Sequence, residues 1–122
     1  MPDLYVLDFK GNRKDYYFNT FYHSLRLRDY VIVQSERGED MGLLNKKVMK
    51  ELDFSDTEKP CSILRPASEE DRRNLIKNRV DEQASWNKVM ELIDKHKLEM
   101  KLVDIEYQFD RNKMTFYFSA GA

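Results

Sequence analysis

With one cysteine in 122 residues, four glycines and three prolines, the chain lacks most of the devices that announce a function. Cys61 has no second thiol for an internal disulfide. With only His23 and His96 beside it, far apart in sequence, it lacks the ligand spacing of a zinc or iron–sulfur site, and a reducing compartment fits best. There is no glycine-rich phosphate loop and no Ser–His–Asp order; Gly38 and Gly42 fit turns. No apolar run approaches the roughly 20 residues of a membrane span. The start, MPDLYVLDFKGNRK, is charged and aromatic, unlike a secretory signal, so a cytoplasmic protein with no membrane contact is expected. Neither sign of charge dominates, with 21 basic and 22 acidic side chains, so any attraction to nucleic acid must come from a local patch.

What the chain does have is enough to fold: 41% hydrophobic and 12% aromatic residues, in a length that builds a core without staples. Residues 4–9 read as a strand, 10–13 as a turn and 15–18 as its return. Residues 30–34 form a β-branched strand, Glu36-Arg37-Gly38-Glu39 a turn, and 41–44 the next strand. Residues 45–60 have no sustained period and read as a connection, with a helical turn around 46–52.

Ser68 followed by Glu69, Glu70 and Asp71 is a helix start: a hydroxyl for the free amides and three acids for the positive end of the macrodipole. No Gly or Pro interrupts from there to Lys97, which predicts a helix of about 29 residues and roughly 43 Å. Leu75, Ile76 and Val80 define one apolar face and Trp86, Val89, Met90 and Ile93 a second, with Leu92 off both. Beyond it Val103, Ile105, Tyr107 and Phe109 alternate with Asp104, Glu106 and Gln108, and Met114, Phe116 and Phe118 with Thr115, Tyr117 and Ser119. Asp110-Arg111-Asn112-Lys113 closes this hairpin, with Asn112 suited to the positive φ of its turn. Phe116 and Phe118 are expected to bury against the helix. The fold class is α+β: a small N-terminal antiparallel β unit with its linker over 1–60, then one long helix packed on an antiparallel hairpin over 61–122.

No set of side chains supplies nucleophile, base and stabiliser together, so the chain reads as a non-enzyme without cofactor, metal or small-molecule substrate. Asp104, Glu106 and Asp110 read as the solvated side of a hairpin and a turn acid rather than as a cation cage. Cys61 has no neighbouring base, and His96 suits the negative end of the helix better than catalysis. Two basic groups interleave with aromatics: Lys10, Arg13 and Lys14 with Tyr16 and Tyr17, and Arg26 and Arg28 with Tyr30. Such groups can neutralise phosphates while rings stack on unpaired bases, which makes RNA a candidate ligand. Trp86, Val89, Met90 and Ile93, with Thr115 and Tyr117 on the last strand, are the candidates for a protein partner or a homodimer.

Val31-Ile32-Val33, Glu36-Arg37-Gly38, Arg65-Pro66-Ala67-Ser68 with Asp71, His96-Lys97-Leu98, and the block from Met100 through Tyr107 to Ala120 resemble the C-terminal conserved region of the polymerase suppressor proteins, the YaaT-like family. The resemblance covers most of the chain and is weakest over 10–28 and 45–60. It implies regulation without catalysis: an adaptor in complexes that act on messenger RNA maturation in bacteria, or associated with messenger RNA binding in eukaryotes. The cysteine-rich tracts used there for iron–sulfur clusters are absent from this sequence. In the family the last strand runs on into a further helix and strand, where this chain stops at Gly121-Ala122, the ending expected of a cut or shortened member. The family often has Gly where Lys97 stands, so a different cap geometry is expected there. A purely structural interaction or dimerisation module is the rival function.

Overall fold

The computed structural model describes residues 2–35, 38–49 and 60–120. The α+β reading holds. Five strands, β1 (Leu4–Asp8), β2 (Lys14–Phe18), β3 (Tyr30–Ser35), β4 (Gly38–Lys47) and β5 (Cys61–Pro66), close into a small barrel in the order β1-β2-β5-β3-β4. A long helix, α1 (Glu69–Lys95), and a hairpin of β6 (Met100–Tyr107) and β7 (Met114–Ala120) follow.

Period-two alternation fills the barrel. Tyr5 and Leu7 point inward from β1, Val31 and Val33 from β3, and Tyr17, Leu44 and Ile63 complete the cluster, with Phe9 and Leu25 packed against it. The pairs are antiparallel except one: β2 runs parallel to β5, with Tyr17 beside Cys61 and Phe18 beside Ser62. The six residues of β5, CSILRP, alternate weakly yet form a fifth strand, so the barrel extends past residue 60, where the sequence predicts the β unit to end, to Pro66. Lys46 and Lys47 continue β4 instead of starting a helical turn, and residues 50–59 lie outside the described residues. So do Glu36 and Arg37 of the expected turn. Its Gly38 has φ +119, and a Cβ there would run into the Asp110 carboxylate, so glycine is required on both counts.

The helix begins as its sequence dictates. The Ser68 hydroxyl accepts from the Asp71 amide at 3.1 Å while the Asp71 carboxylate accepts from the Ser68 amide at 2.7 Å, a reciprocal capping box. Arg65 grips the same carboxylate, which pulls the Asp71 pKa down to about 2, with the Ser68 amide and hydroxyl helping. The far end overturns an expectation. Lys97 has φ +50, the Lys97 amide donates to Asp94 O at 3.2 Å and the Leu98 amide to Ile93 O at 3.1 Å. That is a Schellman ending with lysine in the position that favours glycine. Lys97→Gly is therefore expected to add about 1 kcal/mol of stability, measured as a higher urea midpoint at unchanged slope.

The helix also corrects the apolar faces read from sequence. It buries Asp71, Asn78 and Glu82 while Ile76 and Val80 are 64% and 61% exposed. Trp86, Val89 and Ile93 lie within about 40° of Glu82 around the axis and share its half-buried side, so one face turns to the hairpin. That face packs on β6 rather than β7. The hairpin contains a bulge: pairing shifts between Leu102 and Asp104, so Val103 is squeezed out of register. Leu102 and Ile105 are buried in its place at 2% and 1% exposure, Val103 is 55% exposed, and Phe116 and Phe118, expected in the core, are 40% and 43% exposed. At the turn, Arg111 and not Asn112 takes the positive φ, at +64. Its guanidinium lies 4.1 Å from the Tyr107 ring centre and bonds Asn78 Oδ1 at 2.9 Å and Asp81 at 2.8 Å, which compensates the strain.

Candidate functional site

The first basic group folds inward. A 3₁₀ turn at Lys10–Asn12 carries Lys10 off the end of β1, and its ammonium meets Glu82 at 2.8 Å, Asp104 at 2.9 Å and the Ile105 carbonyl. Arg13 bonds Glu106 and Asp40, each at 3.1 Å, and sits 5.1 Å over the Phe9 ring. Burial works against the charge on Arg13, but Glu106 and Asp40 outweigh it and raise its pKa. Lys14 pairs with Asp8, holding that carboxyl below its usual range with the help of Asn45. Asp104 and Glu106 share a strand face, as the alternation requires, but the face is turned to the barrel and ion-paired instead of solvated. Asp110 is likewise structural, accepting from the Glu39 amide at 2.9 Å.

Glu82 is the node. Its side chain is 4% exposed, takes Lys10 and Arg79 at 2.8 Å each, and accepts the Tyr107 amide at 2.8 Å. Barrel, helix and hairpin meet on one carboxylate. Sequence reasoning missed this role because an acid in mid-helix reads as solvated.

A cleft of about 360 Å³ opens beside the clamp, lined by Arg13, Tyr16, Tyr17, Asp40, Cys61 and Gln108. Burial, helped by Asp15, pushes the Tyr17 phenol up to about 12, so it stays protonated at neutral pH. Burial also raises Asp40, with the Met41 amide and Arg13 pulling the other way. Cys61 is exposed on β5, and no imidazole lines the cleft. Among the described residues no group of His, Cys, Asp or Glu could hold a metal ion. His23 is structural: its Nε2 lies 2.6 Å from Leu64 O and so carries the proton of that bond. His96 is the exposed C-cap residue of α1.

Of the remaining RNA candidates, Tyr17 is buried, Tyr16 is 43% exposed, and Arg26 and Arg28 are exposed in the loop between β2 and β3. Of the partner candidates, Trp86, Val89 and Ile93 are half-buried on the side of α1 that faces the hairpin, and Met90 at 41% exposure lies at its rim. Thr115 and Tyr117 lie on β7. The two edges of the hairpin differ. On β6 the Ile105 carbonyl accepts from Lys10 and the Tyr107 amide donates to Glu82, so these residues turn their backbone groups away from β7. Their partners Phe116 and Met114 therefore turn theirs away from β6, and among the described residues nothing bonds to that outer edge. Phe116, Tyr117 and Phe118 stand exposed along it. Among the described residues no helix is long and apolar enough to cross a membrane.

Comparison with known proteins agrees with the sequence motifs. The chain is 34% identical over 124 aligned residues to the stage 0 sporulation protein YaaT of Bacillus subtilis, covering 98% of this chain and 44% of that protein. It is 30% identical over 147 aligned residues to an uncharacterised protein of Schizosaccharomyces pombe, covering 97% of this chain and 20% of that one. The chain thus spans less than half the length of these curated relatives. No solved structure matches it. Residues 61–122, from β5 through the helix and hairpin, match the model of the PSP1 C-terminal conserved region, and the chain belongs to that family.

Proposed function

We propose that the chain is a non-catalytic regulatory adaptor domain associated with messenger RNA binding or processing complexes, and that it assembles by pairing β7 with β7 of a second copy. Family membership and the sporulation relative suggest a regulatory protein. The observation that carries the adaptor reading is the bare edge of β7, with Phe116, Tyr117 and Phe118 exposed beside it. An open, apolar strand edge is a template for another strand. The sequence of β7, MTFYFSA, contains no charge, so two copies can lie antiparallel about a two-fold axis without opposing like charges. A purely structural dimerisation module would use the same edge, and RNA binding separates the two readings.

Light scattering across a concentration series tests the pairing. The parent chain is expected to rise from monomer toward dimer mass, and Phe118→Lys, which places like charges on the paired sheet, to stay monomeric. A parent that remains a monomer at high micromolar concentration overturns self-pairing.

A further inference from the structure

The longest stretch without a carboxylate runs between Asp15 and Asp29. Most of it lies in the loop over 19–29 joining β2 to β3, whose backbone is held by several hydrogen bonds. Asn19, 6% exposed, donates from its side-chain amide to His23 O at 2.9 Å and accepts from the His23 amide at 3.0 Å. Thr20 Oγ1 lies 2.6 Å from Ser62 Oγ. The Arg28 amide donates to Leu44 O and the Leu44 amide to Asp29 O, both at 2.8 Å. The Asp29 carboxylate is occupied by the Arg26 amide at 2.9 Å.

This scaffold holds apolar groups out in solvent. Phe21 is 58% exposed, Tyr22 72% and Leu27 55%. Tyr22 has φ +52 and Arg28 φ +78, conformations that disfavour side chains with a Cβ, and Tyr22 gains little core burial in return. The guanidinium groups of Arg26 and Arg28 form no ion pair among the described residues, although Arg28 is near enough to Asp8 to lower its pKa slightly. Lys10, Arg13 and Lys14 are all paired. One backbone-tethered loop thus presents both exposed rings and unpaired guanidinium groups, with no exposed acid in its own sequence, a combination that suits a polyanion carrying flat faces.

We propose that the 19–29 loop is a contact site for single-stranded RNA, in which Phe21 and Tyr22 stack on unpaired bases while Arg26 and Arg28 neutralise phosphates. The proposal rests on the messenger-RNA reading above and gives it a location. An acidic peptide would satisfy the guanidinium groups but would leave the rings without flat partners.

The test is fluorescence anisotropy of a labelled oligouridylate about 12 nucleotides long with the full chain, at low and moderate salt. Phe21→Ala and Tyr22→Gly are each expected to weaken binding about tenfold. Tyr22→Gly removes the ring while relieving the positive φ, so its melting temperature is expected to hold or rise, which separates lost binding from lost folding. Arg26→Gln with Arg28→Gln is expected to flatten the slope of log affinity against log salt by about 1.4. If the parent binds and these variants bind equally well, the loop site is overturned while the messenger-RNA reading stands. If the parent fails to bind at low salt, both the loop site and direct RNA contact fall, and β7 pairing is judged separately by light scattering. Loss of oligoglutamate binding in the variants, with RNA binding untouched, reassigns the loop to a protein and overturns the proposal.

Discussion

Glu82→Ala is expected to destabilise the fold by about 3 to 5 kcal/mol, the range for breaking a buried charge pair. The side chain is 4% exposed and serves three groups: the Lys10 ammonium, the Arg79 guanidinium and the Tyr107 amide. Arg79, with 37% side-chain exposure, can return to water, whereas Lys10 is only 23% exposed and among the described residues keeps Asp104 alone as a charged partner. The Tyr107 amide loses its acceptor on the edge of β6. Replacing both ends of the pair separates the terms. Lys10→Met with Glu82→Leu removes the ammonium together with its acceptor, so the double variant is expected to recover part of the loss. Urea unfolding of the parent, Glu82→Ala and the double variant measures this. A single-variant loss below about 1 kcal/mol, the level of an exposed pair, would show that water screens the clamp.

Much of the architecture was legible where local chemistry alone decides the outcome. Ser68 and the acids after it started the helix because the cap is made within four residues. Residues 30–34 formed a strand because a β-branched run favours extended backbone, and Val31 and Val33, two apart in it, share the face that lines the barrel. The clamp was not legible. Lys10 and Glu82 are 72 residues apart, and nothing in either local sequence distinguishes a partner across the fold from a solvated charge. The RNA candidates suffered most: Lys10, Arg13 and Lys14 looked like a basic patch in sequence and are each held by a carboxylate in the structure. Strand β5 was hidden because its neighbours β2 and β3 are remote in sequence and its own six residues alternate weakly. Lys97 misled in another way, since a cap position that usually selects glycine adopts the same geometry with lysine when two hydrogen bonds enforce it.

The hairpin shows how a single residue misplaces a face, and it yields the second large expected effect. Read as uninterrupted alternation, 103, 105, 107 and 109 share one side and Phe116 and Phe118 complete its core. The bulge at Val103 keeps Ile105 inward but substitutes Leu102 for Val103 at the next inward position, and the helix covers β6 without reaching over β7. Ile105, 1% exposed opposite Phe116, therefore carries the packing that the larger ring was expected to supply. Ile105→Ala is expected to cost about 2 to 5 kcal/mol, a deletion of buried aliphatic volume beneath α1. Phe116→Ala, on a side chain 40% exposed, is expected to cost about 1 kcal/mol or less in the monomer. Both are measured by urea unfolding at low protein concentration, so that pairing through β7 adds nothing to the apparent stability. Equal losses from the two variants would place Phe116 in the core and remove the bulge; a large loss from Ile105→Ala alone confirms it and leaves the aromatic side of β7 free to face another strand.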